Sequence, residues 1–261
     1  MKNQQVVRKS LKKITILKFL VIYLRIFKNP YNFIQKNSRF SSFLKDLKKY
    51  KALKKNTNIP VKNADLYPKI YDKTESTPID PVYFYQNSWC AKKIFENKPK
   101  EHFDVGSDLK MLGIISQFVP TTIIDIRPPE VALPELNFKK GSILNLPFPN
   151  NSINSLSSIC VIEHIGLGRY GDLLDQFGTE KAVRELVRVL AKKGNLYISV
   201  PVDEENKVYF NAHRAFTRDY ILELFSSLKL VEERYIYGNE MFNKYDEKKG
   251  FGTGLYYFKK I

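Results

Sequence analysis

From residue 81 onward, apolar positions fall either in short continuous runs or in stripes spaced at the helical repeat, the signature of strands alternating with helices. A helical stripe over 84–97 precedes the apolar run EHFDVG (101–106), a second stripe SDLKMLGIISQF (107–118) and a second run TTIIDI (121–126). LNFKKGSI (136–143) predicts a third strand and SLSSICVI (155–162) a fourth. TEKAVRELVRVLAKKG (179–194) is strongly amphipathic and predicts a helix stopped by Gly194. A strand over 195–201, a helix TRDYILELFSSL (217–228) and the last strands LVEERYIY and GLYYFKK complete the pattern. Such alternation builds an α/β fold, a mostly parallel sheet covered on both faces, with ligands beyond the carboxyl ends of the strands.

The first 80 residues follow a different pattern. SLKKITILKFLVIYLRIFK (10–28) holds a dense apolar run from Ile14 to Phe27, broken by Lys18 and Arg25. Those residues reach about 21 Å as a helix, short of the roughly 30 Å hydrocarbon layer. Lys18 and the lack of a small-residue cleavage site also argue against a signal peptide. SSFLKDLKKYKALKK (41–55) places Phe43, Leu44, Leu47 and Tyr50 on one helical face, with most lysines elsewhere. A basic amphipathic helix of this kind suits an anionic membrane surface, and equally a stripe packed on its own protein. Pro60, Pro68 and Pro78 punctuate an aperiodic stretch, so the chain reads as a basic helical arm (1–56), a linker (57–80) and an α/β domain (81–261).

Charge sharpens that division. The net charge is +16, yet residues 1–56 alone hold 16 Lys or Arg against a single acid, Asp46, while the remainder is almost balanced. The basicity therefore belongs to the arm. The two cysteines, Cys90 and Cys160, form no disulfide framework and point to a reducing compartment, the cytoplasm. No CxxC or HExxH spacing predicts a metal site.

The predicted strand ends carry the candidate chemistry. FDVGS ends the first strand at Gly106, where a missing side chain lets a ligand lie against backbone, although such a glycine also serves as a turn. IIDI ends the second in Asp125, a carboxylate able to accept both hydroxyls of a ribose or to cap a helix. VIEHIGLGRYGD (161–172) follows the fourth strand with His164, Arg169, Tyr170 and Asp172 among glycines, and VYFNAHR (208–214) follows the fifth with Asn211, His213 and Arg214.

In this order the segments GS…LPFPNNS…EH resemble the class I S-adenosylmethionine-dependent methyltransferases, small-molecule branch, through Gly141, Ser142, Leu146, Pro147, Phe148, Pro149, Asn151, Ser152, Glu163 and His164. EHIGLGRYGD, RVLAKKGNLYISVPV and FNAHR further resemble a methyltransferase subfamily associated with surface-glycan genes. The resemblance spans about residues 81–261 and implies a Rossmann-like sheet of seven strands with the last antiparallel. It implies S-adenosylmethionine as cofactor, held by Asp104, Gly106, Ser107, Asp125, Ile126, Ser142 and Ile143. The family's G-x-G-x-G loop is altered here, with Ser107 and Asp108 after Gly106 and Lys110 at the third glycine position, and Ser142 replaces the usual adenine-contacting acid.

The resemblance places the loop after the fourth strand against the transferred methyl group. His164 is then the expected general base, with Arg127, Glu163, Arg169, Tyr170, Asp172, Asn211, His213, Arg214, Tyr85 and Gln86 as acceptor-side candidates. His102 precedes the first strand, away from this site. The expected activity is O-methylation of a small polar acceptor, a sugar or a phosphate-bearing or nucleotide-activated intermediate of surface-glycan synthesis, at the cytoplasmic side of a membrane that the arm could touch. A nucleic-acid methyltransferase would use the arm as its electrostatic footing, but the near-neutral domain does not favour it. A methyltransferase-fold module without catalysis is the remaining alternative.

Overall fold

The structure, a computed structural model, describes residues 31–54, 57–127 and 129–261. The helix expected over 10–28 lies outside the described residues. The chain divides into two compact units, Met1–Pro78 and Ile79–Ile261. In the first, helix α1 runs Tyr31–Ala52, starting ten residues before the stripe that predicted it. Phe43 and Leu47 are half-buried, whereas Leu44 and Tyr50 of the same face are exposed. Lys51 Nζ donates to Asn63 Oδ1 at 2.6 Å, tying the helix end to a single turn of 3-10 helix at Asn63–Asp65. No helix among the described residues is long and apolar enough to cross a membrane.

The second unit begins with α2 (Pro81–Asn97), where Asp80 accepts from the amides of Val82 and Tyr83 and Pro81 occupies the first turn. There follow β1 (His102–Val105), α3 (Leu109–Ile115), β2 (Thr121–Asp125), β3 (Leu136–Lys140) and β4 (Ile153–Ile159). The second half holds α4 (Gly178–Val189), β5 (Leu190–Val202), a small hairpin of β6 (Lys207–Tyr209) with β7 (His213–Ala215), and α5 (Arg218–Leu224). Strands β8 (Leu228–Tyr237), β9 (Glu240–Phe242) and β10 (Gly252–Lys260) finish the chain.

These strands form one sheet in the order β3-β2-β1-β4-β5-β10-β8-β9. The first five are mutually parallel, and β10 runs antiparallel between β5 and β8. The expected mostly parallel α/β sheet with an antiparallel last strand is thus present. It gains an eighth strand, β9, which pairs with β8 through a tight turn at Gly238. Helices cover both faces: α4 and α5 bury Val183, Leu186, Ile221 and Phe225 on one, while α2 and α3 bury Trp89, Ile94, Leu112 and Ile115 on the other.

Two boundaries differ from the periodicity in ways that matter. Helix α4 stops at Val189 rather than Gly194, because Leu190 already pairs with Ile153 as strand and the chain bulges through Lys193 at φ +61°. A helix continued to 194 would forfeit those strand bonds. The fourth strand ends at Ile159, not 162, since Cys160 turns left-handed at φ +53° and one 3-10 turn spans Ile162–His164. That early exit swings Glu163 and His164 out of the strand direction.

Candidate active site

The parallel strands all end at one edge of the sheet, and an open cleft lies there between Gly106, Asp125, Ser142, Val161 and His164. Gly106 has φ +74°, and a Cβ on it would come within 3.2 Å of Val161 Cγ1 and 4.0 Å of Asp125 Oδ2. A side chain there would be strained and would fill the cleft floor. Asp125 is half-buried at the end of β2, with Oδ1 accepting from the Arg127 amide at 2.8 Å. Ile126, Ser142 and Ile143 line the same cleft. Ser142 Oγ accepts from the amide of Leu144 at 3.2 Å, which closes the loop after β3 beside the cleft.

Asp104 and Ser107, expected at the cofactor, lie beneath the cleft instead and do not line it. The Ser107 amide and hydroxyl donate to Asp104 at 2.9 and 2.7 Å, and Ser157 Oγ donates to the same carboxylate. Ser107 Oγ in turn accepts from the Ile159 amide at 2.8 Å. Burial pushes Asp104 up to about 6, against the pull of these donors. His102 continues the chain, with Ser157 Oγ at Nε2 (2.9 Å) and Ser155 Oγ at Nδ1 (2.8 Å), and burial holds the imidazole at about 3, so it stays neutral. This network anchors the turn that carries Gly106. Asp108 caps α3 through the Lys110 amide, so positions 107–110 serve the helix start rather than the cleft.

The opposite wall is the glycine loop 165–178. Gly166 has φ +84°, and a Cβ there would sit 2.0 Å from the Asp175 carbonyl oxygen. A Cβ on Gly178 would sit 2.2 Å from the carbonyl oxygen of Ile165. The loop ends therefore cross at backbone contact, which only glycine permits. Asp172 lines the cleft but is occupied in closing the loop: its Oδ2 accepts from the amides of Gly166 (2.7 Å) and Gly168 (3.4 Å) and its Oδ1 from that of Tyr170. Partial burial pushes its carboxyl upward, but these amides outweigh that and hold it below the ordinary range.

His164 sits at the start of this loop. Nδ1 lies 2.7 Å from the carbonyl oxygen of Ala212, which can only accept, so the proton is on Nδ1 and Nε2 keeps its lone pair. Burial, then the neighbouring Arg169 and His213, hold the imidazole down to about 4 despite the Ala212 bond. Glu163 is fully buried beside it, with Oε1 3.7 Å from His164 Nε2 and Oε2 without a hydrogen-bond partner. Burial pushes this carboxyl up to about 8. Its expected contact with acceptor does not fit, because it is fully buried and does not line the cleft.

Several other acceptor-side candidates are engaged elsewhere. Arg214 is buried and donates to the carbonyl oxygens of Ile165 (2.6 Å), Asp175 (3.1 Å) and Gln176 (3.4 Å), so it holds the glycine loop and cannot grip a ligand. Arg169 donates to Ala212 O at 3.0 Å and lies over the Tyr170 ring. Gln86 is buried under β5, accepting from Ser199 and Cys160, and Tyr85 donates to the Asn239 carbonyl; neither reaches the cleft. Asn211 is exposed in the β6–β7 turn at φ +65°. His213 stands one ring back, 6.5 Å from His164. Arg127 and Tyr170 do line the cleft, with the guanidinium stacked 4.7 Å over the ring. Cys160 also lines it, a position that sequence reasoning considered only for disulfides; its left-handed backbone leaves no mark in the sequence.

A family model described as a Caenorhabditis protein of unknown function, DUF268, matches residues 136–246, less than half of the chain. No curated protein matches the sequence. Among solved structures, the chain is similar to the N-methyltransferase NodS from Bradyrhizobium japonicum WM9, at 13% identity and TM-score 0.51, over 69% of this chain and 97% of that one. It is likewise similar to the [4+2]-cyclase SpnF, at 12% identity and TM-score 0.50, over 67% and 81% of the two chains. The α/β unit has the Rossmann-like fold of class I S-adenosylmethionine-dependent methyltransferases. SpnF has a similar fold and is described as a cyclase, so fold alone does not fix the reaction.

The Glu163 environment yields a measurable sign. Its folded pKa of about 8 exceeds the ordinary carboxylate value, so the folded chain holds a proton that the unfolded chain has released. Stability then falls as pH rises between the two values, by up to about 1.4 kcal/mol per pH unit. Glu163→Gln removes this titration and should gain stability over the parent between about pH 5 and about pH 8 in urea unfolding. Parallel stability curves for the two proteins would mean that Glu163 is ionised in the fold.

Proposed function

We propose that the chain is an S-adenosylmethionine-dependent methyltransferase acting on an oxygen of a small acceptor, with a sugar hydroxyl as the favoured target and surface-glycan synthesis as its setting. The observation that carries this reading is the sharing of one cleft by Gly106, Asp125 and His164, which stand at or beyond the ends of three neighbouring strands of the sheet, β1, β2 and β4. The bare backbone of Gly106 and the unengaged Oδ2 of Asp125 face the same space, a cradle suited to a ligand bearing vicinal hydroxyls. Ile126, Ser142 and Ile143 supply an apolar slot with one hydroxyl beside it for a flat base. When bound, S-adenosylmethionine supplies an electrophilic methyl group.

On the acceptor side, His164 is oriented by Ala212 with a free lone pair at Nε2 and takes the proton of an acceptor hydroxyl. Its pKa of about 4 keeps it unprotonated near neutrality, and makes it a weaker base than the ordinary imidazole that the sequence implied. The weaker base removes the proton as the oxygen bonds to carbon rather than beforehand. An anionic, phosphate-type acceptor is less well supported, since Arg214 is sequestered and Arg169 is engaged by Ala212.

The cofactor assignment is tested by calorimetric titration of S-adenosylmethionine. Asp125→Ala should bind it more weakly by about 1.5–3 kcal/mol with the fold intact, the usual cost of losing hydrogen bonds to a charged group. Unchanged affinity in a folded variant removes the ribose assignment. For the base, His164→Ala should lower turnover by roughly 10²–10⁴-fold with cofactor affinity unchanged. In the parent, the acidic limb of the rate profile should fall near pH 4 rather than near the unperturbed value of about 6.5. Near-normal turnover in the variant would place the base elsewhere.

The basic arm fits a peripheral role at an anionic bilayer, where each cation near the surface contributes on the order of 1 kcal/mol and salt weakens the attraction. The full chain should therefore sediment with anionic vesicles at low salt and be released at high salt. Indifference to such vesicles in both conditions would assign the arm to protein contacts.

A further inference from the structure

An unbroken lane of rings leads out of the cleft. Tyr170 meets His164 edge-on at 5.6 Å, and His164 meets His213 at 6.5 Å. His213 contacts Tyr209 at 5.0 Å and Phe251 at 5.6 Å, and these last two rings meet at 6.3 Å. His164 and His213 are half-buried, whereas Tyr170, Tyr209 and Phe251 open to solvent. The glycine loop and the β6–β7 turn also carry bare apolar side chains. Leu173, Leu174 and Phe177 of the glycine loop are 88%, 70% and 64% exposed, and Phe210 of the β6–β7 turn is 71% exposed. Both segments are strapped to each other beside His164, through Ala212 O to His164 and Arg169 and through Arg214 to Ile165 and Asp175. Single exposed apolar residues are ordinary, but four of them on two segments tied together beside the cleft mark an interaction site.

The polarity of this surface is graded. Its inner end carries the His164 lone pair, and its outer end offers only hydrocarbon and aromatic carbon. Two cations beside these segments are already matched: Lys207 Nζ lies 3.1 Å from Asp203 and 3.5 Å from both Glu204 and Glu205, and Lys181 lies 2.5 Å from Asp175. The ring contacts run continuously from His164 to this outer end, which suits a single molecule that enters the cleft by its polar end. We propose that the lane and its apolar tips form a subsite for the hydrocarbon portion of an amphiphilic acceptor, whose hydroxyl-bearing head reaches His164. This rests on the reading of the cleft as a methyl-acceptor site and narrows the acceptor class to polar heads carrying an apolar chain.

Octyl and methyl β-D-glucopyranoside, which share a head and differ only in chain, are suitable probes. With the full protein saturated in S-adenosylhomocysteine, titration below the micelle concentration should show the octyl compound binding at least tenfold more tightly than the methyl compound. The surface variants Leu173→Ser with Leu174→Ser, and separately Phe210→Ser, should each lose most of that preference, with affinity for S-adenosylhomocysteine unchanged. Equal binding of the two glucosides overturns the proposal, and so does a chain-length preference that persists in the variants. Sedimentation with neutral phosphatidylcholine vesicles that these variants abolish also overturns it, in favour of a bilayer contact. Failure to bind S-adenosylhomocysteine is scored separately and counts against the methyltransferase reading, while the glucoside comparison without it still decides the subsite.

Discussion

The candidate site depends on one buried cation. Arg214 enters the sheet edge from β7 and distributes its guanidinium over the Ile165, Asp175 and Gln176 carbonyls, with Thr179 Oγ1 at 3.4 Å. A buried charge without partners is costly, and this one is compensated by backbone oxygens rather than by a carboxylate. Those oxygens belong to a loop whose ends cross at Gly166 and Gly178 and therefore cannot form strand or helix bonds there. Arginine and loop thus satisfy each other. The bond fixes the wall that carries His164 and keeps the β6–β7 hairpin close enough for Ala212 to select the imidazole tautomer.

A second polar assembly does the same for the facing wall. The series Ser155, His102, Ser157, Asp104 and Ser107 runs from β4 to β1 and back to the turn after β1. Its direction follows from the donors available. Ser157 gives its proton to Asp104 and so accepts from His102 Nε2, leaving Nδ1 to accept from Ser155. Every member has a partner, which makes a buried network compatible with a packed sheet. It also accounts for the altered glycine loop. Where a glycine-rich turn exposes backbone over several positions, this chain exposes it at Gly106 alone and uses Ser107 and Asp108 to brace the turn and start α3.

How much of this was legible in the sequence depended on whether a property is local. The alternation of strands and helices and the placing of Gly106, Asp125 and His164 near strand ends followed from apolar periodicity and position, because burial in a two-faced sheet imposes that pattern, whereas the antiparallel last strand came with the family resemblance. Roles that depend on a distant partner were not legible. Arg214 reads as a free cation in FNAHR, and nothing nearby in sequence shows that carbonyls some 40 to 50 residues earlier surround it. Asp172 reads as a ligand in the glycine loop, whereas its oxygens accept from amides two to six residues away. Asp104 and Gln86 likewise read as exposed candidates until the sheet is assembled over them. The apolar pair Leu173 and Leu174 was visible as a doublet between two aspartates, and only its exposure reveals that it is no part of the core.

Counting the charges that remain free narrows what the cleft prefers. Arg214 is closed within the fold, Arg169 is shared between Ala212 and Tyr170, and Arg127 stacks on Tyr170 with its Nε 3.6 Å from Asp125. On the carboxylate side, Asp172 is saturated by amides, and burial favours the protonated form of Glu163. The acceptor half of the cleft therefore presents a neutral imidazole, an aromatic ring and hydrocarbon, with Arg127 as its cation. A dianionic phosphate placed there would lose its hydration for a single cation that already faces a carboxylate, a poor exchange in a partly desolvated site. A neutral hydroxyl loses far less, and the proposed base, His164, has its lone pair already oriented. The neutral head and the apolar chain proposed for the acceptor thus have one physical basis: Arg214 and Arg169 are engaged in holding the loops in place.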